Sequence, residues 1–316
     1  MHNKIIYLVG LLSSASNIKG IMELVDAGRI FSLESFWYKE KFLSELKKRN
    51  TKILLDSGAF TFLRLASKKG KEASEKDKRE YLDRYVQFIK ENKDLFNAYV
   101  NLDVIYDPEA SWKNQEYMES QGLSPMPVYH LGEDVKHFIR MLDNYEYVGV
   151  GGAVGGGYDR KGQLRCFNQL FSIMLERSPK TRIHVFGKTD WFVMTRFPWY
   201  SLDSTTWLQV AAYGSIFVPR YDFKKGEFTF EKPPVMLGVS DILKQRDCIS
   251  DHVEVAFSKV EMEKLLEYLD ETGFTLKQLG EDYGSRWLFN IMYYETLLKS
   301  LSKQKVSSID HEQSFF

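Results

Sequence analysis

Short apolar runs rich in β-branched residues recur along the first two thirds of the chain: Ile5–Val9, Ile53–Leu55, Tyr99–Leu102, Val128–Tyr129, Tyr147–Val150, Ile183–Phe186 and Ser215–Val218, with Tyr200–Leu202 a weaker member. Between them, apolar residues return at intervals of three and four, as in Phe36–Leu46, Tyr81–Ile89, Val135–Leu142 and Phe167–Leu175, the spacing that gives a helix one buried face. Strands alternating with helices predict βα units on a parallel sheet. Roughly eight strand candidates suit an α/β fold closed into a (β/α)8 TIM-like barrel better than an open sheet.

After Arg220 the pattern changes. Lys224, Lys225 and Gly226 predict a hairpin, Pro233 and Pro234 follow, and Val260–Leu269 and Leu276–Leu301 are amphipathic. The expected organisation is a barrel domain at residues 1–218, a hairpin plus mainly helical C-terminal appendage packed on it at 219–302, and a disordered tail at 303–316. The charged tract from Lys68 to Arg79 reads as a solvated loop entering a helix, with Ser74 and Asp77 as its capping box.

Composition narrows the functional classes. Lys and Arg total 43 and so do Asp and Glu, giving a net charge of zero over 316 residues and excluding a uniformly basic nucleic-acid coat. Hydrophobic residues at 44% and aromatics at 15% supply enough apolar surface for a large core, so disorder is excluded for most of the length. Cys166 and Cys248 stand 82 positions apart with no C-x-x-C pair and no His at ligand spacing, so a structural zinc site is not expected. No apolar stretch reaches the ~20 residues of a transmembrane helix, and Met1–Leu12 reads as a buried strand with no cleavage site after it. A soluble cytoplasmic protein with reduced thiols and no membrane partner is expected.

Two glycine signatures prove to be decoys. Gly187-Lys188-Thr189 looks like the end of a P-loop, but the glycine required five positions earlier is Arg182. The run from Gly149 to Gly157 nowhere satisfies G-x-G-x-x-G, since the sixth position is Val154 when counted from Gly149 and Arg160 when counted from Gly155. Glycines at a strand end still permit close backbone approach, and N–H groups there can grip a carbonyl oxygen.

Acidic residues follow the strand candidates: Asp56 after Ile53–Leu55, Asp103 after Val100–Leu102 and Asp203 after Tyr200–Leu202. In a (β/α) barrel such ends converge on the face where active sites are built. Taken singly, Asp56-Ser57-Gly58 and Asp203-Ser204-Thr205 are also good Asx-turn or N-cap sequences. His130 and His184 lie in strand candidates, where a lone histidine is ordinarily a hydrogen-bonded core residue; base recognition is the functional reading of His130. Phe60 and Phe186 are core aromatics by default, or else the two faces of a slot for a flat heterocycle.

Asp56-Ser57-Gly58-Ala59-Phe60 resembles the D-S-G-G-F/Y motif of the tRNA-guanine transglycosylases. Asn101-Leu102-Asp103 is similar to that family's base-reading aspartate segment, Gly151–Gly155 to its G-G-L-A-V-G loop, Val185-Phe186-Gly187 to its L-M-G turn, and Leu202-Asp203-Ser204 to its nucleophile segment. The order along the chain also matches, over about Ile5 to Val218. The family's C-x-C-x-x-C plus His zinc cluster is missing, Thr61 stands where a glutamine is expected, and His130 replaces the base-reading glutamine. These departures resemble the DNA-guanine transglycosylase branch of phages and bacterial DNA-modification clusters.

The resemblance implies a zinc-free glycosyltransferase, without a cofactor, that replaces guanine in DNA by a 7-deazaguanine such as 7-cyano-7-deazaguanine through a covalent aspartyl-sugar intermediate. Asp203 would be the nucleophile and Asp56 the acid and base, while Asp103, His130, Gly151, Gly152, Ser57, Phe60 and Phe186 would bind the base. Lys188, or Arg220 with Lys224 and Lys225, would hold the nucleic acid, as would Lys68, Lys69 and Lys71. A tRNA substrate, an N-glycosidase reaction and a homodimer stay open, and a phage-encoded protein would act in the host cytoplasm.

Overall fold

The computed structural model describes residues 4–62, 73–153, 157–241 and 252–303. Lys68, Lys69, Lys71, Gly155, Cys248 and residues 304–316 lie outside them. The chain divides into two compact units, one of Met1–Asn17, Met22–Thr189 and Phe197–Ser204, the other of Ile18–Ile21, Asp190–Arg196 and Thr205–Phe316.

The first unit is built on eight strands: β1 (Ile5–Val9), β2 (Phe31–Ser35), β3 (Ile53–Asp56), β4 (Phe96–Tyr99), β5 (Val128–His130), β6 (Tyr147–Gly151), β7 (Arg182–Val185) and β8 (Ser201–Ser204). Every pairing is parallel, in the order β4-β3-β2-β1-β8-β7-β6-β5, and helices fill the connections. Tyr7, Leu33 and Leu54 from the middle strands share one apolar cluster with Val100, Met126 and Val128 from the two edges, so the sheet curls around its own inner face. No ladder joins β4 to β5. A single parallel bridge between Val100 and Met126 spans that gap, in which Met126 N donates to the Tyr99 carbonyl and Asn101 N to the Met126 carbonyl, each at 2.9 Å. The α/β class and the parallel eight-stranded sheet are as the pattern predicts; the expected full closure is replaced by this one bridge.

The membership of the sheet also differs from expectation. Ser215–Val218 pairs antiparallel with Val235–Gly238 in a separate two-stranded sheet and clusters with the second unit. Residues 205–218, assigned to the barrel by their sequence pattern, thus group with the tail. The place in the parallel sheet belongs to β2, Phe31-Ser32-Leu33-Glu34-Ser35. Its alternate residues Ser32 and Glu34 are polar yet buried, because they face the short helix Leu11–Ala15. Glu34 Oε1 accepts from Leu12 N at 2.6 Å, Ser13 N at 3.3 Å and Ser32 Oγ at 2.7 Å, supplying the cap that the helix's own N-terminal residue, Gly10, has no side chain to give. Burial pushes the Glu34 carboxyl above its usual range, against the pull of these donors.

The helix Glu75–Asn92 carries the expected capping box, Ser74 with Asp77, and buries one face through Tyr81, Leu82, Tyr85, Val86, Phe88 and Ile89. Two hydroxyls on that face fix the strand ends. Tyr81 donates to the Ser57 carbonyl at 2.7 Å and Tyr85 to the Val100 carbonyl at 2.8 Å. The backbone on either side of Asp56 and Asp103 is therefore held from behind.

In the second unit the predicted hairpin is present as β10 (Arg220–Asp222) paired with β11 (Glu227–Thr229), following β9 (Ser215–Val218) and preceding β12 (Val235–Gly238). The expected long helix is two, Leu276–Glu281 and Tyr283–Lys303, broken at Asp282, whose carboxylate accepts from Ser285 N at 2.6 Å. Lys303, expected in the tail, ends the second of these. Buried Asn290 on that helix accepts from Phe217 N at 2.8 Å, tying it to β9.

Candidate active site at the C-terminal strand ends

Asp56 is the last residue of β3, Asp203 lies within β8 one residue before its end, and Asp103 follows β4 beyond the bridging Val100. The three carboxyls share one electrostatic environment. Burial, then the charge of Asp103, then that of Asp203 push Asp56 up to about 7, against a hydrogen bond that its Oδ2 accepts from Gly58 N at 2.9 Å. Gly58 reaches that position with φ +75°, where a Cβ would stand 2.8 Å from both Ser35 Oγ and Tyr81 Oη. The Asp-Ser-Gly turn is thus a glycine-dependent wrap of backbone around a proton-holding carboxyl. A carboxylic acid with a value near neutrality is suited to giving and taking a proton.

His130 stands at the end of β5 with both ring nitrogens engaged: Nε2 lies 2.9 Å from Asp103 Oδ2 and Nδ1 3.2 Å from Glu133 Oε1. Burial alone would lower its basicity, but the two carboxylates outweigh burial and raise it to about 9. At neutral pH it is an imidazolium between two carboxylates, and it orients Asp103 instead of offering a free nitrogen to a base. Glu133 carried no signal of its own in the sequence beyond its spacing of three from His130. Gly151, at the end of β6, lets the ring lie flat, since a Cβ there would meet His130 Cδ2 at 2.8 Å. Gly152 turns with φ +75°, and its hypothetical Cβ would meet Leu131 N at 3.0 Å.

Asp203 is 4% exposed and held at both oxygens, Oδ2 by His184 Nε2 at 2.8 Å and Oδ1 by Gly187 N at 3.0 Å. Gly187 adopts φ +70°, which shows why the tempting Gly-Lys-Thr sequence has its glycine there: the turn aims an amide at Asp203, not at a phosphate. His184, fully buried, was legible only as a strand histidine.

The remaining expected residues fall into distinct places. Ser57 is fully buried, and its hydroxyl accepts from Ala59 N at 3.4 Å, a turn-forming role. Phe186 packs edge-on to His184 with centroids 4.4 Å apart and lies over Gly149, where a Cβ would meet its ring at 2.6 Å. Phe60, on the helical turn after Gly58, is 61% exposed. Lys188 follows Gly187 in the first unit and is half-buried, whereas Arg220 and Lys224 are exposed on the hairpin of the second.

At the opposite, N-terminal ends of the strands lies a cavity of about 700 Å³, lined by Lys52, Asn97, Tyr99, Tyr147 and Arg182 among others. It does not include the three aspartates. Among the described residues, no group of three or more His, Cys, Asp or Glu is arranged to hold a metal ion, and no helix is long and apolar enough to cross a membrane. The chain matches no protein-family model and no curated protein.

Proposed function

We propose that the first unit is a base-exchanging guanine transglycosylase on a TIM-like barrel, acting on DNA. The observation that carries this reading is the pairing of Asp56, a carboxyl poised near neutrality, with Asp203, a second carboxylate whose orientation is fixed from two sides. Two carboxyls with different environments in one site are what a retaining exchange at a glycosidic carbon requires.

In the first half-reaction an Asp203 oxygen bonds to C1′ of the target nucleotide as the bond from C1′ to the base nitrogen breaks, and Asp56 gives that nitrogen its proton. In the second, Asp56 takes the proton from the incoming 7-deazaguanine, whose nitrogen bonds to C1′ as the aspartyl ester bond breaks. Asp103, steadied by His130 and Glu133, accepts from the N–H groups of the guanine edge. Backbone amides at Gly151 and Gly152 face the carbonyl oxygen of the base. Phe186 covers one side of the heterocycle, and Phe60, exposed in the free protein, closes on the other. Lys188, or alternatively Arg220 with Lys224 and Lys225, contacts the phosphate backbone. The resemblance of the five motifs in order supplies the base and the polymer; the geometry supports the division of labour between the carboxyls.

The test is incubation of the protein with labelled 7-cyano-7-deazaguanine and either duplex DNA or tRNA. Label retained in DNA after denaturation is expected. Label in tRNA alone replaces the polymer, and abasic sites formed without incorporation overturn exchange in favour of an N-glycosidase.

A further inference from the structure

Behind Asp203 a file of side chains runs through the curled sheet. Tyr147 Oη lies 2.6 Å from Ser201 Oγ, Ser201 Oγ lies 2.8 Å from His184 Nδ1, and His184 Nε2 lies 2.8 Å from Asp203 Oδ2. Ser201 and His184 are fully buried and paired in register across β7 and β8. Tyr147, at the start of β6, lines the cavity at the N-terminal ends of the strands. The file thus connects that cavity with the candidate nucleophile.

The donors and acceptors can be assigned from chemistry. An ionised Asp203 only accepts, so His184 donates from Nε2; its Nδ1 then carries a lone pair and accepts from the Ser201 hydroxyl, which in turn accepts from Tyr147. Burial and the neighbouring Tyr7 raise Tyr147 well above its ordinary value, so its hydroxyl keeps the proton it gives to Ser201 in this arrangement. Each group then has one role, read outward from Asp203 to the tyrosine. The ionised Asp203 selects this tautomer, and the Ser201 and Tyr147 hydroxyls complete the bonding on the Nδ1 side, so that the buried ring is satisfied at both nitrogens.

From this geometry we infer that His184 is a positioning residue for Asp203, its ring anchored at Nδ1 by the Ser201–Tyr147 pair so that Nε2 holds the carboxylate turned for attack. The inference rests on the base-exchange reading for its catalytic consequence, but not for the relay itself. Groups facing His184 and Asp203 from the surrounding elements are Tyr7 of β1, whose ring meets the imidazole edge-on at 6.0 Å, Tyr147 of β6, Asp56 of β3 and, through Asp56, Asp103. None of these replaces the imidazole as a donor to Oδ2.

The experiment has a substrate-free arm and a catalytic arm, both on the full chain. In the first, imidazole nitrogen NMR of the parent should show neutral His184 as the Nε2–H tautomer at pH 8; the Nδ1–H tautomer overturns the assignment without any variant. Carboxyl carbon NMR, with Asp203 assigned from the Asp203→Asn spectrum, should show its titration midpoint at least one unit higher in His184→Ala and restored toward the parent in His184→Gln, whose amide N–H can take the Nε2 position. In the second arm, the acidic limb of protein–DNA adduct formation should move with that midpoint, so that the loss in His184→Ala is largest at the low-pH end of the profile and shrinks as pH rises. A purely structural role would lower the rate by one factor at every pH, and that result overturns the inference. If His184→Ala does not fold, Ser201→Ala is read in its place, with a smaller shift in the same direction expected and an unmoved midpoint overturning it. A parent protein that forms no adduct with DNA or tRNA defeats the base-exchange reading, while the NMR arm still decides the relay.

Discussion

The imidazole of His130 lies against Gly151 so closely that a Cβ on the glycine would stand 2.8 Å from its Cδ2. The strand-end glycine, suggested by sequence as a backbone donor to a base, therefore also acts as the seat of a charged ring. Gly151→Ala is expected to displace His130 from Asp103 and Glu133 and to cost roughly 1–3 kcal/mol through overpacking. Chemical denaturation measures the cost, and loss of the raised His130 titration in NMR shows its source. A variant with parental stability and an unchanged His130 titration would mean that the ring has room elsewhere.

The His130 bridge also makes stability depend on pH. Its folded value, about 9, exceeds the ordinary 6.5. The bridge's contribution is thus complete below about pH 6.5 and is lost as pH rises through 9, with a size on the order of 2–3 kcal/mol. Urea denaturation at pH 6 and pH 9.5 should show the parent losing that increment, whereas His130→Gln shows none of it.

Asp56 gives the same sign in another window. Its folded value, about 7, is above the ordinary 3.8, so its favourable contribution is full below about pH 4 and disappears as pH rises through 7, where ionisation beside Asp103 and Asp203 is opposed. Asp56→Asn should therefore gain on the parent between pH 4 and pH 8, by on the order of 2–4 kcal/mol. On the proposed base-exchange function, exchange should slow by roughly 10² to 10⁴, because each half-reaction would lose its proton carrier. Equal denaturation midpoints at both pH values would remove the proton-holding role.

Glu34 tests the outer face of the sheet. Glu34→Ala strands the donors Leu12 N, Ser13 N and Ser32 Oγ and should cost roughly 2–4 kcal/mol. Glu34→Gln keeps an acceptor at Oε1 and should be close to neutral wherever the parent carboxyl is protonated, a range that burial extends upward. As pH rises through that folded value the parent loses stability, and the glutamine variant should overtake it. Thermal melts of both proteins across a pH series give the comparison.

Alternation of apolar strands and amphipathic helices was enough to read the parallel sheet, because most strands are apolar on both faces. Phe31–Ser35 escaped since Ser32 and Glu34 face a helix end that needs a polar cap, so half of a buried strand looked solvent-exposed. Ser215–Val218 was claimed for the same sheet because a four-residue apolar run says that a strand is buried, not which partner it pairs with or in which direction. In the site, the aspartates were legible from their places after the strand candidates. Glu133, Ser201 and Tyr147 were not. Their roles come from partners 3, 17 and 54 positions away, across turns and neighbouring strands that no local spacing records.

The single Val100–Met126 bridge gives the two walls of the site unequal stiffness. Asp203 and His184 sit on strands laddered on both sides, so moving them means breaking several bonds together. Asp103, three residues beyond Val100, stands where two backbone hydrogen bonds take the place of a ladder, with its contact to His130 as a side-chain link across the same gap. In hydrogen exchange, the amides of Met126 and Asn101 should lose protection well before those of β7 and β8, at the low-energy end of local opening. The wall that carries Asp203 would then stay still while the wall that carries Asp103 is free to breathe, which on the base-exchange proposal is the side that admits the guest.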